Sequence, residues 1–67
     1  MLTVGDLSST MLDIIGKLAE GESLPQIAID LRLSEDDVDV IVAAAAKVLR
    51  ARNRVHVVNI ALRRRLI

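Results

Sequence analysis

A chain of 67 residues with no cysteine and no aromatic residue forms at most one domain, without disulfides or thiolate metal sites, around an aliphatic core. No apolar run approaches the roughly 18 residues that a membrane span requires, and no signal peptide opens the chain, so a soluble, cytoplasmic protein is expected. The zero net charge hides a split: residues 1–39 contain nine acids and two bases, whereas residues 40–67 contain seven bases and no acid. Such asymmetry indicates partner binding rather than a constraint on the fold.

The first predicted helix begins near Ser8 or Ser9, after a short lead at residues 1–6, and runs to about Glu20. Gly21 ends it, because glycine commonly takes the left-handed conformation just after a helix. Apolar residues recur at helical spacing along this segment: Leu12, Ile14, Ile15, Leu18 and Ala19.

The second predicted helix is short and carries several start signals. Ser23 is its N-cap and Gln26, three residues later, completes a capping box. Pro25 lies in the first turn, where its missing N–H costs nothing. Arg32 and Leu33 form the turn that follows. The side chains expected to face inward are Ile27, Ala28 and Leu31.

The third predicted helix is capped by Ser34 and runs to about Arg50, and the fourth is capped by Asn53 and continues towards the end of the chain. The buried side of the third helix is expected to consist of Val38, Ile41, Ala45, Val48 and Leu49. The residues expected to anchor the fourth helix inward are Val55, Val58 and Leu62.

No segment alternates in the manner of a strand, so the pattern predicts one all-α, four-helix domain over residues 1–67. Its predicted core consists of Leu12, Ile15, Leu18, Ile27, Leu31, Val38, Leu49 and Val58.

Three stretches of sequence follow one another in a fixed register: LSSTMLDIIGKLAEGES, IAIDLRLS and RNRVHVVNIALRRRLI. Together they resemble the C-terminal DNA-binding domain of the LuxR/GerE family of bacterial transcription regulators, without a gap from Leu7 to Ile67. The resemblance implies a helix-turn-helix made by the second and third helices. It also implies that the third helix reads DNA.

The sequence departs from this family where its members commonly contact DNA. In the third helix, the family's Thr, Lys, His, polar and late Lys positions are occupied here by Asp37, Asp39, Ile41, Ala44 and Val48. At the start of the second helix, Leu24 and Pro25 replace an Asn-Lys pair. Framework positions therefore match the family, while contact positions do not.

The third helix carries the first candidate interface for a protein partner, made of acids and small apolar residues: Asp36, Asp37, Asp39, Val40, Ala43 and Ala44. The alternative is structural, because first-turn carboxylates favour the helix dipole and alanine is the best helix former. The candidate phosphate contacts, if DNA is bound, are Lys47, Arg50 and Arg52. Their alternative is a solvated surface at the negative end of the helix.

The last helix carries a second candidate interface, consisting of Val57, Ile60 and Ala61. If Val55, Val58 and Leu62 anchor the helix inward, this second side is left free to contact a partner. Because family members often pair through this helix, the resemblance implies a homodimer or a mixed dimer with a LuxR-type regulator.

No pattern in the sequence is typical of an enzyme, a cofactor site or a metal site. His56 is the single histidine, and a lone histidine does not make a zinc site. The favoured function is a small protein that modulates or inhibits a transcription regulator by binding it. One alternative is a dimeric, sequence-specific DNA-binding regulator of LuxR type, with duplex DNA as the less favoured ligand. The other is a purely structural dimerisation module.

Overall fold

The helices follow one another through short connections in the computed structural model, which describes residues 7–67. Four helices lie within that range: α1 (Ser9–Ala19), α2 (Leu24–Leu31), α3 (Glu35–Leu49) and α4 (Arg54–Arg63). No strand occurs among these residues, so the prediction of an all-α helix-turn-helix fold is confirmed. None of the four helices is long and apolar enough to cross a membrane. The predicted lead at residues 1–6 lies outside the described part.

Every helix begins at a side chain that accepts a hydrogen bond from the backbone N–H three residues later. Ser8, Ser23, Ser34 and Asn53 make these bonds at 3.1, 3.3, 3.0 and 2.8 Å, and each such cap contributes about 1 kcal/mol. The predicted capping box at Ser23 is half formed. The amide of Gln26 donates to Asp30 Oδ1 at 2.9 Å, along α2, rather than back to the cap.

Every helix is followed within two residues by a residue in the left-handed conformation, although only one of the four is glycine: Gly21, Arg32, Arg50 and Arg65 have φ of 89°, 57°, 56° and 55°. After each, a backbone N–H closes the turn by bonding to a carbonyl five residues earlier, as in Leu33 N–H to Ala28 O at 2.9 Å. A side chain in this conformation costs roughly 1–2 kcal/mol. The helix-turn-helix is therefore made without glycine, at some cost in stability.

Two clusters of buried aliphatic side chains form the core, and both α1 and α3 contribute to each of them. The first cluster consists of Ile14, Ile27, Ala28, Val38 and Val42. The second consists of Leu7, Ile15, Ala45, Leu49, Val57, Ile60 and Ala61. Four of the predicted core residues are fully buried: Ile15, Ile27, Val38 and Leu49. The other four are half-buried at the edges of the clusters: Leu12, Leu18, Leu31 and Val58.

The prediction for the faces of α4 is wrong. Val57 and Ala61 are fully buried and Ile60 is 9% exposed, whereas Val55 and Leu62 are 70% and 52% exposed. The buried residues follow the spacing of three and four that makes a compact stripe on a helix. This stripe packs in the same cluster as residues of α1 and α3. The side reserved for a partner is thus the core side. Of the supposed anchors, Val55 and Leu62 face outward and Val58 lies at the edge of the core.

Candidate functional site

The outward side of α3 carries a straight row of exposed side chains, which we call the outer stripe. Its members are spaced by four, three, four and three residues, so they share one side of the helix: Asp36, Val40, Ala43, Lys47 and Arg50. All five are exposed, and Val40 is 67% exposed. Asp39 is also exposed, and Ala44 is half-buried. The structure thus places both candidate α3 groups, the acidic and apolar residues and the basic cluster, at the surface.

The acids at the start of α3 make no ion pair with any residue in 7–67. Glu35, Asp36 and Asp37 occupy its first turn. Within residues 7–67, the ion pairs shorter than 4.0 Å are both made by Lys17, with Glu22 and Asp30. The acids therefore favour the positive end of the helix dipole, but their charge remains available to any ligand that approaches α3.

Two of the positions at which the resemblance implies DNA contacts do not face solvent freely. Ile41 and Val48 are half-buried and pack against the first and second core cluster respectively. Aliphatic side chains packed in this way offer no polar group to a base or a phosphate.

Basic residues meet where α3 ends and α4 begins. Lys47, Arg50 and Arg52 are all exposed there. The connection is held by His56, whose Nδ1 accepts the N–H of Arg52 at 3.0 Å and whose own N–H donates to Asn53 at 2.8 Å. His56 therefore caps the connection through its ring nitrogen.

The outward side of α4 is apolar and borders a groove that the sequence did not predict. We call Val55, Val58 and Leu62 the outer α4 face; two are exposed and Val58 is half-buried. A groove of about 510 Å³ runs from this face across the starts of α2 and α3. It is lined by Leu18, Glu22, Ser23, Leu24, Pro25, Glu35, Arg54, Val55 and Val58. Leu24 and Pro25, at the start of α2, therefore help to form an apolar depression.

A small polar network joins α1 to α2 at the rim of this groove. Lys17 Nζ lies 3.4 Å from Asp30 Oδ2 and 3.6 Å from Glu22 Oε2. Desolvation lowers the pKa of Lys17, but the hydrogen bond to Asp30 and the charges of both acids outweigh it, so the pKa is raised. The hydrogen bond between Glu22 and Asp30 raises the pKa of Glu22 and lowers that of Asp30. Such exposed pairs contribute little stability, so the network mainly orients side chains.

Comparison with known proteins agrees with this geometry. Residues 6–61 match the profile of the family described as bacterial regulatory proteins, LuxR family (GerE). This match covers most of the chain, so the protein belongs to the LuxR family of bacterial regulatory proteins. No curated protein and no solved structure matches it significantly. Within residues 7–67, no three His, Asp or Glu side chains are grouped to hold a metal ion.

Proposed function

We propose that this LuxR-family domain regulates transcription in the cytoplasm mainly by binding a protein, as a non-catalytic modulator without a cofactor, and that α3 does not read duplex DNA. One observation carries the proposal. The surface that a helix-turn-helix turns towards DNA presents Asp36, Asp37 and Asp39 beside exposed Val40 and Ala43, and within residues 7–67 no base forms an ion pair with these acids.

Electrostatics supports this proposal quantitatively. Two like charges about 7 Å apart repel by roughly 0.6 kcal/mol even in a water-like dielectric. Several carboxylates, each near more than one phosphate, would cost several such units. Non-specific DNA binding releases only about 5–8 kcal/mol at physiological salt. The repulsion is therefore large enough to cancel the attraction that brings most regulators to DNA.

The outer α4 face is the surface best suited to a LuxR-type partner. It is apolar, it is exposed, and it continues into a groove of about 510 Å³. Exposed apolar patches bordered by charges are typical of protein interfaces. A regulator that docks its own last helix here would form a mixed dimer and lose its own pairing. Inhibition would then need no contact between this protein and DNA. The same face also suits a homodimer.

Direct DNA binding is the second candidate function, and the basic end of α3 favours it. Lys47, Arg50 and Arg52 are exposed and close in sequence, and such residues position proteins on phosphates. In that case the protein would be a dimeric LuxR-type regulator that approaches DNA with this end. If the outer α4 face pairs two copies and no regulator or DNA binds, the protein is a purely structural dimerisation module.

Pull-down and gel-shift experiments with purified LuxR-type regulators from the same genome test the proposal. We expect one regulator to bind the protein and to leave its operator DNA when the protein is added. Leu62→Asp should abolish the effect, because it places a charge in the outer α4 face, whereas Glu20→Lys, at the exposed end of α1, should not. Release of no regulator, together with salt-sensitive binding of the protein itself to DNA, would contradict the proposal and support the second candidate.

A further inference from the structure

We propose that the outer stripe of α3 pairs with the outer stripe of a second copy of the protein, with the two helices antiparallel. Read from its start, the stripe presents an acid, Val40, Ala43 and a base. In the reverse direction the order is a base, Ala43, Val40 and an acid, so an antiparallel copy of the stripe places opposite charges and apolar residues face to face. Antiparallel pairing therefore sets Asp36 against Lys47 of the second copy, and Val40 against Ala43, and a twofold axis repeats each pair.

Helix geometry makes the register specific. At 1.5 Å per residue, Asp36 and Lys47 lie roughly 16 Å apart along α3, with Val40 and Ala43 placed symmetrically about the midpoint between them. The twofold axis falls midway, so one registration satisfies both charges and both apolar residues. Ala43 has no side chain beyond Cβ, which lets the helices approach. Val40, 67% exposed in the single chain, is covered by the contact.

Charge complementarity selects a second copy over other occupants. Duplex DNA would meet the carboxylate of Asp36, and a uniformly basic partner would meet Lys47 and Arg50. A uniformly acidic partner would be repelled at the other end. The complement must reverse its charge along the helix, and a second copy of α3 does so by construction. The inference rests on the proposed function, because a helix paired in this way is not available to a DNA groove.

The contact is small, so the dimer should be weak and dependent on ionic strength. Reversing either charge alone turns two attractions per dimer into two repulsions. Reversing both charges in the same chain restores the attractions with the signs exchanged. That rescue is specific to the proposed register, since an unfolded or generally weakened variant would not recover.

Sedimentation equilibrium at low and high salt tests this with the whole chain as Asp36→Lys, Lys47→Asp, the double variant, and Glu20→Lys as a charge control. We expect each single variant to weaken dimerisation about tenfold. The double variant and the control should keep it, and high salt should weaken the wild type. A wild type that stays monomeric at millimolar concentration, singles that dimerise normally, or a double variant as weak as the singles would each overturn the inference. If the protein also binds no DNA, each of these results leaves the proposed function standing. If Lys47→Asp instead abolishes binding to random duplex DNA, both fail.

Discussion

The outer stripe of α3 and the outer α4 face both expose valine, yet they differ in what surrounds it. Val40 lies between acids and bases on an exposed helix side, whereas Val55 lines a groove of about 510 Å³ formed mostly by apolar residues, and exposed Leu62 lies further along α4. A contact on the first surface should therefore depend on charge order and salt, and a contact on the second on buried area. The LuxR-family fold thus carries two chemically distinct surfaces, one charged and one apolar. Neither of them places basic side chains at the start of α3, where phosphate binding would need them.

The sharpest division on α4 is between Ile60 and Leu62, and it gives the largest expected effect. Ile60→Asp puts a carboxylate into the second core cluster, where an unpaired charge costs several kcal/mol, so this variant should be largely unfolded. Leu62→Asp changes an exposed residue and should alter the free energy of unfolding by no more than about 0.5 kcal/mol. Circular dichroism and urea unfolding measure both. Equal stability of the two variants would show that the assigned face of α4 is wrong.

Truncating different core residues should destabilise the domain by different amounts. Leu49 is 4% exposed in the second cluster, so Leu49→Ala should cost about 2–5 kcal/mol and unfold much of the population. Leu31→Ala should cost less, because Leu31 is only half-buried. Urea unfolding of the two variants compares the losses. A larger loss for Leu31→Ala would contradict the burial described above.

The acidic surface at the start of α3 can be converted into a DNA-binding surface by substitution. Replacing Asp36, Asp37 and Asp39 by Lys, Thr and Lys removes three anions from the surface that would face a DNA groove and adds two cations to it. Non-specific affinity for duplex DNA should then rise, by on the order of a hundredfold, and should fall steeply with salt. Fluorescence anisotropy with random duplex DNA measures the change. Unchanged affinity in a folded triple variant would mean that α3 does not face DNA in any complex.

A position away from both surfaces provides the smallest effect and a control. Gly16 lies within α1, and a Cβ built there meets nothing within 4 Å apart from its chain neighbours and the helix's own backbone. Gly16→Ala should therefore raise the free energy of unfolding by about 0.5–1 kcal/mol, through helix propensity alone. Thermal unfolding checks this, and neither partner binding nor self-association should change. A lower melting temperature would reveal a close contact at Gly16.

Much of the fold could be predicted because its signals are local. Ser8, Ser23, Ser34 and Asn53 mark the helix starts, and all four make the expected cap bonds. The left-handed conformation of Arg32, Arg50 and Arg65 was harder to predict from the sequence, because a side chain disfavours it. Their φ angles and the hydrogen bonds that close each turn show that it is adopted.

The faces of α4 could not be read from the sequence alone. The helix has two apolar stripes, one with Val55, Val58 and Leu62 and the other with Val57, Ile60 and Ala61. Periodicity supports either. The choice is made by packing against Ile15 and Leu49, which are distant in sequence. The small Ala61, which suits a close helix contact, was the one available signal. The groove depends on four helices meeting, so it too had no local signature.

Titration of the wild-type protein against random duplex DNA, at about 50 mM and about 200 mM salt, tests the central claim most directly. The account predicts no measurable complex at either salt concentration, because the acids of α3 repel phosphate and make no ion pair with a base in residues 7–67. A micromolar complex that weakens steeply with salt, and is lost in variants of α3 such as Lys47→Asp, would contradict it.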